Sequence, residues 1–133
     1  MNDDFLDEWR AEAPMLEDLN EESRRIPSLH AKWLEKLHKC QKLKKHYHYE
    51  FQKLYKEKYH YLMGRDEQCP DVKIMKNEVP IYLNADKELN KAQGFCDMYE
   101  IYESSLKEIL YIIKNRSYQV KDAIEWNKFE SGF

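Results

Sequence analysis

KLKKHYHYEFQKLYKEKYHY, residues 42–61, decides how this chain folds. Counting from Leu37 in steps of three and four gives Leu37, Cys40, Lys44, Tyr47, Phe51, Leu54, Lys58 and Tyr61, and six of these eight are apolar or aromatic. That repeat belongs to a helix lying along a partner helix. Trp33 extends the row backwards, and Leu34, Tyr55 and Leu62 widen it on one flank. Pro27 and Gly64 bound the stretch, so the helix spans 27–64 and is roughly 55 Å long at the usual rise per residue. A rod of that length needs company, from the rest of the chain or from other copies of it. Its charge is equally marked. From His30 to Arg65 there are ten cations (Lys32, Lys36, Lys39, Lys42, Lys44, Lys45, Lys53, Lys56, Lys58, Arg65) against three acids (Glu35, Glu50, Glu57), a local +7 in a chain of net −3.

Working outward, 133 residues make one domain. Three Gly, four Pro and 35% charged residues in long periodic runs predict an all-α protein, a long helical hairpin or coiled-coil-like bundle with short terminal helices. The 14% aromatic content argues against disorder. Cys40, Cys69 and Cys96 form no CxxC pair, which fits a reducing compartment without a disulfide framework. The start, MNDDFLDEW, is acidic where a signal peptide is positive, and no apolar run reaches the ~20 residues of a membrane span. A cytoplasmic protein with no membrane partner is expected. The charge is segregated: residues 1–29 carry net −6 and residues 66–133 net −4. The field a ligand meets is therefore local.

Four segments follow from this pattern. Residues 1–26 form an acidic helical segment: 3–12 carry Phe5, Leu6 and Trp9 on one face, and Met15 to Arg25 continue with Met15, Leu16 and Leu19. This piece is a solvated cap, lies against the basic helix in competition with an anionic ligand, or docks on another protein. Proline removes a donor and constrains its predecessor, so Pro27 predicts a new helix or a kink. Residues 27–64 are the basic helix, stopped by Gly64. Residues 65–83 read as an extended connection with at most one helical turn. Residues 84–133 hold the C-terminal helices: Asn84 caps one from Ala85 to about Asn115, and Ser117 caps another from Tyr118 to about Phe129. The first carries the row Leu89, Ala92, Cys96, Tyr99, Glu103, Leu106, Leu110 and Ile113, flanked by Phe95, Tyr102 and Ile109. That face is wide enough for two neighbours, the basic helix and another subunit.

Catalytic motifs are missing: there is no GxxxxGK[ST], GxSxG or GxGxxG. His38, His46, His48 and His60 raise the question of a metal, but HExxH is absent and His46 and His48 point to different sides of a helix. No enzyme, cofactor or metal is expected. The basic helix is the feature with direct chemical meaning. Lysines neutralise phosphates with little sequence preference, and exposed aromatic rings stack on unpaired bases. Lys45, Lys53, Lys56, Lys58 and Arg65, with Tyr49, Tyr55 and Tyr59 off the main row, are the candidate contacts for single-stranded nucleic acid. The alternative is a structural helical adaptor whose basic helix meets an acidic protein face. Lys44 and Lys58 fall on the packing row itself, where an unpaired charge is costly, and so mark an opening or an anion.

AKWLEK (31–36), KEKYHYLMGR (56–65), YLNADKEL (82–89), IIKNRSYQVKDAI (112–124) and FESG (129–132), in that order and spacing, resemble the UvsY recombination mediators of tailed phages. The resemblance covers residues 20–132, and residues 1–19 share only acidity and helical character. It implies an all-helical protein assembling into a closed homo-oligomer, a ring of about six or seven subunits. It further implies binding of single-stranded DNA and help for a RecA-like phage recombinase in displacing the single-strand-binding protein, inside an infected bacterial cell. The family's contact motif is a basic pair shortly before the Gly, here Lys56 and Lys58. Its usual small residue and Arg are replaced by Glu57 and Lys58, and lysine lacks arginine's bidentate fork. Self-association through the C-terminal region maps onto Leu89, Phe95, Tyr102, Leu106, Ile109, Leu110 and Ile113.

Overall fold

A computed structural model describes residues 3–64 and 74–132; Arg65 and Cys69 lie outside them. The elements are α1 (Asp4–Glu12), α2 (Leu19–Leu62), α3 (Val79–Ala85) and α4 (Lys87–Glu130). Among the described residues there is no strand, in line with the all-α reading.

Several helix boundaries depart from local propensity. Met15 and Leu16 lie outside any helix, and α2 begins at Leu19 because the Asp18 carboxylate accepts from the N–H groups of Asn20 (2.9 Å) and Glu21 (3.2 Å). The helix then continues through Pro27, with no new start there. Pro27 and Ser23 are exposed, so the carbonyl that loses its donor can turn to water. Buried Glu22 and Trp33 anchor the helix on either side. At the other end, Gly64 takes φ +73°, and its N–H reaches the Tyr61 carbonyl at 3.1 Å, which is the expected stop.

The connection before α4 is more helical than expected: Pro80 sits in the first turn of α3, and Asn84 lies inside it. Asp86 does the capping instead. Its backbone is extended, ending α3, and its Oδ1 accepts the Leu89 N–H at 3.0 Å, opening α4. The break expected at Asn115–Ser117 does not occur, and α4 runs on to Glu130. Ser117 is no cap, since its hydroxyl donates back to the Lys114 carbonyl (3.1 Å). Arg116 is buried, holding the helix where propensity alone suggests an end.

The chain forms two compact units: Met1–Cys40 with Tyr102–Phe133, and Gln41–Ile101. In the first, Trp33 is fully enclosed and meets Trp9 edge to face at 5.6 Å. Phe5 meets Tyr102 likewise at 5.4 Å, and Leu37, Cys40, Leu106, Ile109, Ile113 and Val120 complete the buried apolar set. Glu22 is the hub of a buried ionic knot. Its Oε1 accepts from Arg116 (2.7 Å), and its Oε2 accepts from Arg25 (2.7 Å) and the Leu16 N–H (3.1 Å). Arg116 also donates to the Ala13 carbonyl at 2.6 Å and Arg25 to that of Pro14 at 2.9 Å, tying the segment before α2 in place. Burial works against the Glu22 charge, but the bonds from Arg25, Leu16 and Arg116 prevail and hold its pKa below the ordinary range.

The acidic N-terminal helix does lie on the basic one. Glu8 takes Lys32 (2.6 Å) and Lys36 (2.9 Å), and Glu12 takes Lys32 and the Trp33 indole N–H (2.9 Å). Both ammonium groups also stand over the Trp33 ring, at 5.6 and 5.5 Å.

In the second unit the α2 and α4 segments run antiparallel: Tyr47 stacks on Phe95 (5.2 Å) and Tyr99 (5.0 Å), while Lys58 meets Glu88. Val79 and Leu83 of α3 and Leu89 of α4 form its buried centre, packed by Phe51, Leu54, Tyr59, Leu62, Met63 and Ile74. Cys40 and Cys96 are buried, as their positions in the packing rows predict.

Candidate nucleic-acid interface

A helix that buries one row of side chains must show the opposite row to solvent. With Tyr47, Phe51 and Leu54 turned inward, the three-and-four spacing sets Lys42, Lys45, Tyr49, Lys53 and Lys56 on the outer side of α2. All five are exposed, Tyr49 at 63%. From Lys42 to Lys56 the stripe is about 21 Å long. Among the described residues, none of its four lysines pairs with a carboxylate. Lys53 lies at the acidic edge, sharing a shallow hollow of about 230 Å³ with Glu50, Glu57, Leu54 and Ala92. Lys45 and Lys56 lie on the side of Tyr49 away from those acids, and Lys42 is nearly in line with it two turns earlier.

The other lysines of the helix are engaged within the chain. Lys32 and Lys36 are held by α1, and Lys39 pairs with Glu35 at 3.4 Å. Lys44 is half-buried on the packing row. Lys58, also on that row, meets Asp86 Oδ2 at 3.2 Å and Glu88 Oε2 at 3.3 Å, so the anion its position called for comes from α4. Partial burial opposes the Lys58 charge, but the bonds to Asp86 and Glu88 outweigh it and raise its pKa. The Leu89 N–H, helped by Lys58, holds the Asp86 pKa low.

The sequence-predicted contacts therefore separate. Lys45, Lys53, Lys56 and Tyr49 come together on one open face, and Tyr55 is exposed at 43% beside Phe51. Tyr59 is half-buried against the Val79–Leu83–Leu89 cluster, and Lys58 is paired inward. Arg65 lies outside the described residues. Lys42 is the addition, and its spacing three before Lys45 and seven before Tyr49 is the signal that picks it out.

The candidate self-association residues also separate. Leu89, Tyr102, Leu106, Ile109 and Ile113 are buried inside the chain and have almost no surface to offer a second copy. Leu110 is half-buried, and Phe95 is 37% exposed while stacked on Tyr47. The wide apolar face predicted on α4 is thus consumed largely at home. Exposed apolar area lies instead at Tyr111, Tyr118, Trp126 and Phe129, the last two stacked at 5.6 Å.

A family model described as "Recombination, repair and ssDNA binding protein UvsY" matches residues 2–133. Three crystal structures of the bacteriophage T4 recombination mediator protein UvsY share the fold. The type II lattice superposes with a TM-score of 0.90 at 22% identity, over 99% of this chain and 98% of that one. The type I lattice gives 0.87 at 22%, over 96% and 98%, and the type IV lattice 0.86 at 22%, over 98% and 99%. No curated protein matches the chain in sequence. With the family match running over nearly the whole length and the four helices following the same path, the chain belongs to the UvsY family of recombination, repair and single-stranded-DNA-binding proteins.

Proposed function

We propose that this protein is a non-enzymatic recombination mediator that binds single-stranded DNA through the outer stripe of α2. In this role it helps a RecA-like phage recombinase take the place of the single-strand-binding protein in the infected cell. The observation that carries the reading is the row of four exposed lysines, without carboxylate partners among the described residues, around the exposed Tyr49 ring. The lysines release counterions from phosphates, and the ring offers a face to an unpaired base. A single stripe is a modest site. A closed ring of copies multiplies it, because each contact after the first is effectively intramolecular.

Fluorescence anisotropy with a labelled oligonucleotide, titrated over a range of salt, tests the site. Lys45→Ala with Lys56→Ala is expected to weaken binding and to flatten the log–log salt slope by roughly 0.7 for each phosphate left without its lysine. Oligomer mass by light scattering should stay the same. An unchanged slope removes these residues from the site, and negligible binding by the unaltered protein at low salt favours an adaptor for an acidic protein face instead.

A further inference from the structure

We propose that Asp86 and Glu88 clamp Lys58 out of the nucleic-acid interface, so that the second basic position of the 56–58 pair is masked by the chain's own carboxylates. The inference rests on the single-stranded-DNA reading above and refines its site. Lys56 and Lys58 are two residues apart and so point about 160° away from each other around the helix. Lys56 stands on the open face, while Lys58 sits on the inward row and is only 27% exposed. Its ammonium has two carboxylate oxygens within 3.3 Å. Asp86 is itself fixed, because its other oxygen receives the Leu89 N–H that opens α4. A phosphate reaching Lys58 must displace both acids and meets their negative charge at close range. The upward shift at Lys58 and the downward shift at Asp86 agree with a pair that favours its ionised state.

The clamp also explains why lysine serves here. Its ammonium is a compact point charge that fits between two carboxylates two residues apart at one helix end, without arginine's planar fork.

Four proteins decide the matter: the unaltered chain, Lys58→Met, Asp86→Asn with Glu88→Gln, and the combination of all three. Asparagine caps a helix about as well as aspartate, so α4 keeps its start. Labelled oligothymidylate is titrated at several salt concentrations. Lys58→Met is expected to leave the salt slope unchanged. The acid-neutralised protein should steepen it by about 0.7 per copy engaged, which makes the fall in affinity over a fourfold rise in salt about 2.6-fold larger. The triple variant should return to the original slope, because the gain comes from the unmasked Lys58. A slope flattened by about 0.7 in Lys58→Met overturns the proposal. So does a gain that survives in the triple variant, which would then reflect the general field. Denaturant unfolding of the same set adds a readout that needs no DNA: stability changes that merely add, with no coupling between Lys58 and its acids, also overturn the clamp. Should the unaltered protein fail to bind while the stability coupling is present, the single-stranded-DNA reading falls and takes the masking role with it.

Discussion

A lysine's role depends on what stands opposite its ammonium. In α2 the same residue type serves three ends: Lys32 and Lys36 staple α1 across Trp33, Lys58 ties the α4 start to α2, and Lys42, Lys45, Lys53 and Lys56 face solvent. Row position sorts part of this in advance, since Lys58 falls where the helix packs. The partners are not legible, because Asp86 and Glu88 come from another helix far along the chain. Arg116 is the sharper case. In sequence it sits in Asn-Arg-Ser, a local breaker, yet it reaches Glu22 across 94 residues of chain. Arg116→Met is expected to lower unfolding free energy by about 3 kcal/mol, the low end for breaking a buried pair, because Arg25 still partners Glu22. Urea denaturation measures this, and a loss under about 1 kcal/mol would show that the knot contributes specificity more than stability.

The two long helices show how far tertiary anchors override local signals. Pro27, Asn115 and Ser117 are poor helix residues, and the new helix starts that they suggested, with a kink as the alternative at Pro27, are absent. The turns around them are held by interactions no local pattern contains: the Glu22 knot and the Trp33 enclosure in α2, and Arg116 in α4. The signals that did transfer have their cause within a few residues. Gly64 ends a helix through its own backbone freedom, and the three-and-four row marks the packed face through side-chain burial. Gly94 offers a direct measure of helix propensity. It lies inside α4, is exposed, and a Cβ there meets nothing within 4 Å. Gly94→Ala is expected to raise stability by about 0.5–1 kcal/mol in thermal or urea melts, with no change in DNA affinity. A destabilised variant would mean that another surface needs the space.

For the molecule as a whole, charge is segregated by element and then partly cancelled by folding. The acidic N-terminus neutralises two of the cations of α2 and the start of α4 neutralises a third, which leaves the open stripe as the run of α2 lysines without carboxylate partners among the described residues. Stability inherits a pH dependence from the same pairs. Glu8, chiefly through Lys32, and also Glu22 and Asp86 have pKa values lowered by folding. Their contributions are complete above the ordinary carboxylate range and fade as pH falls through the folded values. Lys32, held chiefly by Glu12, and Lys58 have raised pKa values. Their contributions are complete below the ordinary lysine range and vanish as pH climbs through the folded values. Melting temperature followed by circular dichroism should thus be flat across neutral pH and drop below about pH 5, with a second decline in strong alkali. Adding salt should soften the contribution of the half-exposed Glu8–Lys32–Lys36 staple more than that of the enclosed Glu22 knot.

The three tryptophans, Trp9, Trp33 and Trp126, all belong to the unit formed by the chain's two ends, while Gln41–Ile101 carries tyrosines and none of the indoles. Indole emission is thus confined to one unit, whereas tyrosines occur in both. Red-edge excitation reports only on the terminal half, where Trp33 is shielded and Trp126 open to a collisional quencher. Binding of an oligonucleotide along α2 is then expected to leave indole emission almost unaltered while tyrosine emission responds, and any indole change on adding a partner protein signals an event at the termini.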